Sequence, residues 1–160
     1  MGWRVWRVLH PVDRAVSARE LALELLEAER RGETRPVEAA FSPRLVSLSR
    51  DGIWPPGRRF ASRCDVAGRW HPRPPEPGCE CGVWAFKAAD DAWRVTRETR
   101  DETALAVGRV ALWGRAIEFE LGWRARFAYP VDAAIHGAGD VVAHSLAKAY
   151  GVPVVSAREP

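Results

Sequence analysis

The sequence predicts an α+β domain: an antiparallel, tryptophan-rich sheet, two or three helices and one long cysteine-bearing loop. Three observations predict it. Short apolar runs rich in Val, Trp and Phe recur between turn residues, as half-buried strands require. Two segments, 17–31 and 140–150, place apolar residues at helical spacing between good end signals. Residues 49–82 show no periodicity, are rich in proline, and hold all three cysteines of the chain.

In chain order, residues 3–9 read as a first strand, Trp-Arg-Val-Trp-Arg-Val-Leu, ended by His10-Pro11. Ser17 and Glu20 form a capping box opening a helix with an apolar face of Leu21, Ala22, Leu25, Leu26 and Ala28. Gly32 ends that helix. Residues 41–48 suggest a short strand, and the breaker region follows. Order resumes at Val83-Trp84-Ala85-Phe86, with a short helix expected over 88–95, starting near Asp90 and Asp91. Residues 105–113 are β-like, broken by Gly108 and ended by Gly114. Segments 115–121 and 123–129 then read as an antiparallel hairpin turning at Leu121-Gly122-Trp123. That register sets Glu120 against Arg124 and Glu118 against Arg126 on a wet face. A last helix opens at Asp140 as N-cap and stops at Gly151, and residues 152–155 add a final strand.

The 160 residues, 47% hydrophobic and 28% charged, suit a single domain over 1–160 with one core. Eight tryptophans, from Trp3 to Trp123, either fill that core or line a groove. The net charge is only +3, and lysine is confined to Lys87 and Lys148. Arginine suits phosphate recognition, but a GC-rich coding genome produces the same bias, so charge alone argues little for nucleic acid. No apolar run reaches the roughly 20 residues of a membrane span. The start Met1-Gly2-Trp3-Arg4 lacks a signal core, and a cytoplasmic protein with reduced thiols is expected.

The chemistry concentrates at Cys64, His71, Cys79 and Cys81, spaced Cys-x6-His-x7-Cys-x-Cys. Three thiolates and an imidazole form a tetrahedral structural zinc set. An aperiodic stretch of roughly thirty residues inside a compact domain needs such a tether. A Cys-x-Cys pair on extended backbone points both sulfurs to one face, so joint ligation demands a bend near Gly82. Other readings stay open. They are partial ligation by Cys79 and Cys81 with a different histidine, buried cysteines beside a solvent histidine, a strained Cys79–Cys81 disulfide, and a cysteine nucleophile beside His71. Catalytic zinc would need an open position and a base such as Glu76 or Glu80.

Beside the cysteines, Arg58, Arg59, Arg63, Arg69 and Arg73 interleave with Trp54, Phe60 and Trp70. Arginines with stackable rings can grip a nucleic-acid backbone and its bases. The plain alternative is a solvated arginine-rich loop whose rings fold back on the sheet. Glu118-Phe119-Glu120 resembles the Glu-x-Glu pair of ADP-ribosyltransferases, although a half-exposed strand yields that pattern without any catalytic cause.

Several phrases form a set: Cys79-Glu80-Cys81-Gly82-Val83-Trp84-Ala85, Leu112-Trp113-Gly114-Arg115, Gly122-Trp123-Arg124-Ala125 and Ala128-Tyr129-Pro130, after Trp54-Pro55-Pro56-Gly57. The set resembles a group of small, functionally uncharacterised bacterial proteins from high-GC genomes. The resemblance covers residues 41–155 and implies no activity and no catalytic residues. Residues 11–40 have no counterpart in it, so their helix is expected to be an insertion. The expectation is a zinc-stabilised binding module for a protein or nucleic-acid partner. The alternative is an enzyme using Glu118/Glu120 or the thiols Cys79/Cys81.

Overall fold

A computed structural model describes residues 1–9, 42–48, 52–64, 71–99 and 104–157. The expected helix at 17–31, the insertion at 11–40, the His10-Pro11 stop, Arg69 and Trp70 lie outside the described residues. Those residues form, in order, β1 (Gly2–Leu9), β2 (Arg44–Ser47), β3 (Phe60–Ala61), β4 (Val83–Phe86), α1 (Ala89–Glu98), β5 (Leu105–Glu118), β6 (Gly122–Pro130), β7 (Ala133–His136), α2 (Asp140–Tyr150) and β8 (Val154–Ser156). Every ladder is antiparallel except the parallel β7–β8 pair, so the architecture is α+β with a mixed sheet.

The sheet curls on itself. β1 pairs with β5 along one edge and with β4 at Trp3–Phe86 on the other, while β4 and β5 both flank β6. Four strands therefore close a cycle, and both faces of β1 are covered. Trp6 and Val8 enter the main core with Leu45, Val83, Val110, Ile135 and Leu146 of α2. Val5 faces the other way, with Val107 and Ala92 of α1. This explains the imperfect alternation of β1, because neither of its faces is free for water. Its arginines reach backbone oxygens instead: Arg4 donates to the Trp84 carbonyl and Arg7 to that of Leu48.

The start of the proline-rich loop is anchored by Trp54, only 1% exposed. Its ring meets Trp6 edge-on at 5.4 Å and stacks on Phe60 at 4.8 Å. Its backbone N–H donates to Leu45 O and its indole to the Ser47 hydroxyl. Trp54 is thus a core residue rather than part of an exposed stacking surface.

The β5–β6 hairpin forms, in a register different from the one expected. Ala116 faces Ala125, Ile117 faces Arg124 and Glu118 faces Trp123, with a register shift between Trp113 and Ala116. Gly114, at a φ of 79°, absorbs that shift, which a side chain would resist. Gly114 therefore sits inside one continuous strand instead of ending it, and β5 also runs through Gly108, where the Asp132 carbonyl approaches the bare Cα. The expected Glu118–Arg126 and Glu120–Arg124 pairs are absent among the described residues. Glu118 meets Lys87 at 2.6 Å, Arg126 lies over the Phe127 ring at 4.8 Å, and Arg124 is drawn inward to loop carbonyls. Charge pairing on a wet face is weak, and buried carbonyls needing donors outweigh it.

The helices fall near their expected places. α1 extends past residue 95 to Glu98, with Asp90 and Asp91 in its first turn. α2 takes Gly139 as N-cap, so Asp140 occupies the first turn instead, and Gly151 ends the helix in the left-handed region. Two strands had no expected counterpart. β7, Ala-Ala-Ile-His, has little intrinsic strand preference, and β5 supplies its ladder. The two-residue β3 exists through its pairing with β6.

Tyr150 ties α2 to β2 and to the start of the proline-rich loop. Its hydroxyl accepts from Leu45 N–H at 3.0 Å and donates to Trp54 O at 2.7 Å, and burial pushes its pKa up to about 12. Tyr150→Phe should leave both backbone groups unpartnered and cost about 2–3 kcal/mol in denaturant melts. Because the folded-state pKa is raised, the fold should also lose stability as pH climbs from about 10 to about 12. That alkaline loss should shrink in Tyr150→Phe. A melt in which the variant matches the parent at pH 7 would show that these bonds do not hold α2.

Candidate metal centre

The loop leaves β3 at Ala61 and returns at Val83, and its two described ends approach each other. Ser62 N–H donates to Arg126 O at 2.9 Å, which guides the outgoing chain along β6. On the return, Cys79 N–H donates to Glu76 O at 3.2 Å. The Glu76 carboxylate accepts from Arg115 of β5 at 2.5 and 3.3 Å, a two-point grip beside the Gly114 bulge. Gly82 supplies the bend that the Cys-x-Cys pair demands. It has a φ of 118°, and a Cβ there would press on Pro75 and on Arg124.

These paths bring the ligand atoms of Cys64, His71, Cys79 and Cys81 within 4.8 Å of one another. The Cys64 and Cys79 sulfurs are 3.8 Å apart. His71 Nδ1 lies 3.1 Å from Cys64 Sγ and 3.7 Å from Cys81 Sγ. Metal–sulfur bonds of about 2.3 Å and metal–nitrogen bonds of about 2.0 Å give tetrahedral sulfur–sulfur edges of about 3.8 Å and sulfur–nitrogen edges of about 3.5 Å. The four residues therefore can hold a metal ion. No disulfide joins the cysteines. Burial pushes the Cys81 thiol up, a backbone hydrogen bond at Glu76 opposes the rise, and the Cys79 and Cys64 sulfurs add to it. A thiol raised in this way favours its protonated form unless a cation compensates it, which a metal ion does.

Arg124, which sequence reasoning had placed on a wet face, supports the same centre. It is 4% exposed and donates through Nη1 to the carbonyls of Cys79 and Cys81. Its guanidinium lies 4.3 Å from the Phe119 ring centre and 4.9 Å from that of Trp84. No carboxylate pairs with it among the described residues. A cation buried this way is costly without a counter-charge. Three thiolates on a divalent ion leave one net negative charge beside it.

The other sequence-derived candidates scatter. Arg58, Arg59, Arg63 and Arg73 are exposed. Arg59 lies over the Phe127 ring at 4.4 Å. Glu118 and Glu120 sit at the hairpin tip, both exposed. His144 is exposed on α2, and His136 packs edge-on against Trp93. Sequence reasoning missed Arg4 and Trp84, which line one cleft, and the buried setting of Arg124 against the Trp84 ring. Their one signal was the interruption of strand alternation by arginine beside tryptophan.

About one metal ion per purified chain is expected by elemental mass spectrometry, with thiols becoming reactive only after chelation. Cys81→Ser should lose the ion and unfold or aggregate. Arg124→Met should retain metal about 10- to 100-fold more weakly in a competition assay with a coloured chelator. Retention should weaken as pH falls, because protons compete for the sulfurs. A metal-free parent that melts like Cys81→Ser would remove the centre. No protein-family model, curated protein or solved structure matches the chain, so its function rests on the chemistry of these residues.

Proposed function

We propose that the chain is a small zinc-stabilised binding module whose metal is structural and whose partner is a single-stranded nucleic acid. The observation that carries this reading is the closed set of four protein ligands around one point. Soft thiolates with one imidazole favour zinc over hard cations, and four protein ligands leave no open position for a reacting water. Glu76, the base that catalytic zinc could have used, is held by Arg115. Among the described residues no helix is long and apolar enough to cross a membrane, and reduced thiols fit a cytoplasmic setting.

The partner is read from the surface the metal loop presents. Arg58, Arg59, Arg63 and Arg73 are exposed, and none forms an ion pair among the described residues. By contrast Lys87, Arg94, Arg109 and Arg115 are each matched to a carboxylate. Arg63 lines the same cleft as the exposed Trp84, and Arg59 lies over Phe127, which meets the exposed Trp113; unmatched arginines with such rings suit a phosphate backbone with unstacked bases. The enzyme alternative gains nothing from Glu118, which is paired to Lys87 at the hairpin tip.

Fluorescence anisotropy with a labelled single-stranded oligonucleotide should show binding whose affinity falls steeply with salt. Replacing Arg58, Arg59 and Arg73 together with glutamate should abolish it, and the melting temperature should stay unchanged. Absent or salt-independent binding by the zinc-loaded protein overturns the nucleic-acid reading and leaves a zinc-stapled module with a protein partner.

A further inference from the structure

A cleft of about 870 Å³ is lined by residues of β1, β2, β3 and β4 and of the loops beside them. Its lining includes Arg4, Ser47, Phe60, Ser62, Arg63 and Trp84. The volume lies in the range of small-molecule sites.

Arg4 is the informative residue. Of its five N–H donors two meet described acceptors, the Trp84 carbonyl and the Ser47 hydroxyl, the latter at 3.0 Å. Its buried Nε has no hydrogen-bond partner, and no carboxylate balances its charge among the described residues. The Trp54 ring supports it from below at 5.1 Å. A half-buried cation with spare donors on a cleft wall calls for an anion. Arg63, exposed and also without an ion pair among the described residues, adds a second guanidinium at the rim.

The flat walls define the rest of the ligand. Trp84 is 47% exposed, yet its ring is fixed: it stacks on Phe119 at 5.4 Å, covers Arg124, and donates its indole N–H to Glu80 O. A rigid, exposed indole on a residue that lines the same cleft as Phe60 suits a planar heterocycle. We propose that this cleft is a nucleotide site, taking the phosphate at Arg4 and Arg63 and the base against Trp84. The ligand is either a free nucleotide or one unit of a single strand. In the second case the site rests on the nucleic-acid reading above.

The metal loop builds one side of the cleft. Arg63 precedes Cys64, Glu80 lies between Cys79 and Cys81, and Gly82 follows Cys81. Metal binding and nucleotide binding are therefore coupled through shared backbone, and chelation should empty the site.

Isothermal titration of the zinc-loaded protein with inorganic phosphate, a nucleoside, a nucleoside monophosphate and a ten-residue oligonucleotide tests this. The monophosphate should bind more tightly than phosphate or nucleoside alone. Arg63→Gln should weaken it about 10- to 100-fold, and Arg4→Lys, which keeps the charge but loses the fork, should also weaken it. Arg63 is exposed, so its variant remains informative even if Arg4→Lys fails to fold. Competition between monophosphate and oligonucleotide assigns the site to one unit of a strand. Monophosphate binding without oligonucleotide binding assigns it to a free nucleotide, and the strand-binding reading falls alone. Oligonucleotide binding that is indifferent to Arg63→Gln, with no monophosphate binding, overturns the cleft proposal and leaves that reading standing.

Discussion

The convergence of Cys64, His71, Cys79 and Cys81 is the constraint on which the rest of this molecule depends. A proline-rich chain has few N–H groups to pair and little apolar surface to bury, so it cannot define its own path. Here that path is fixed at three places: Trp54 in the core, the ligand cluster, and the Glu76–Arg115 grip. The cluster ties the outgoing chain after β3 to the incoming chain before β4. Both strands contribute residues to the cleft, so whatever holds the four residues together also bears on its shape.

Charge explains why the surrounding residues are arranged as they are. Two arginines sit in partly or fully buried positions without carboxylates among the described residues, Arg124 behind the cysteine loop and Arg4 on the cleft wall. Burial lowers the pKa of Arg4 to about 10, which still leaves it charged at neutral pH. Each rests on aromatic rings and backbone carbonyls, which tolerate a delocalised guanidinium better than an ammonium. Trp84 joins the two, because its carbonyl accepts from Arg4 and its ring covers Arg124. The metal loop and the cleft thus share one rigid element.

The sequence spoke most clearly where local rules dominate. Helix ends near Asp90 and Gly151, the β1 and β4 runs, and the hairpin between Glu118 and Gly122 follow from capping, breakers and apolar runs. The cysteine–histidine cluster was legible because four soft donors in an aperiodic stretch have few other uses. The hairpin register was not legible. Alternating charge suggested Glu118–Arg126 and Glu120–Arg124, but the Gly114 bulge and the loop carbonyls that capture Arg124 belong to neighbouring segments. β7 was hidden for the same reason, since alanine-rich chain becomes strand only beside a waiting ladder.

By itself, then, the sequence determined the α+β class, the positions of most elements and the four residues that could hold a metal ion, all of which follow from short-range chemistry. Only the tertiary structure decided which rings are core and which are surface, Trp54 inside and Trp84 outside, because both sit among similar neighbours in the chain. It alone closed β1, β4, β5 and β6 into a cycle and opened the cleft beside them. It alone gave Arg4 and Arg124 their settings. Strand closure and buried charge depend on partners far away along the chain, 80 residues between Arg4 and Trp84 and 45 between Arg124 and Cys79, and no local pattern encodes a partner at that distance.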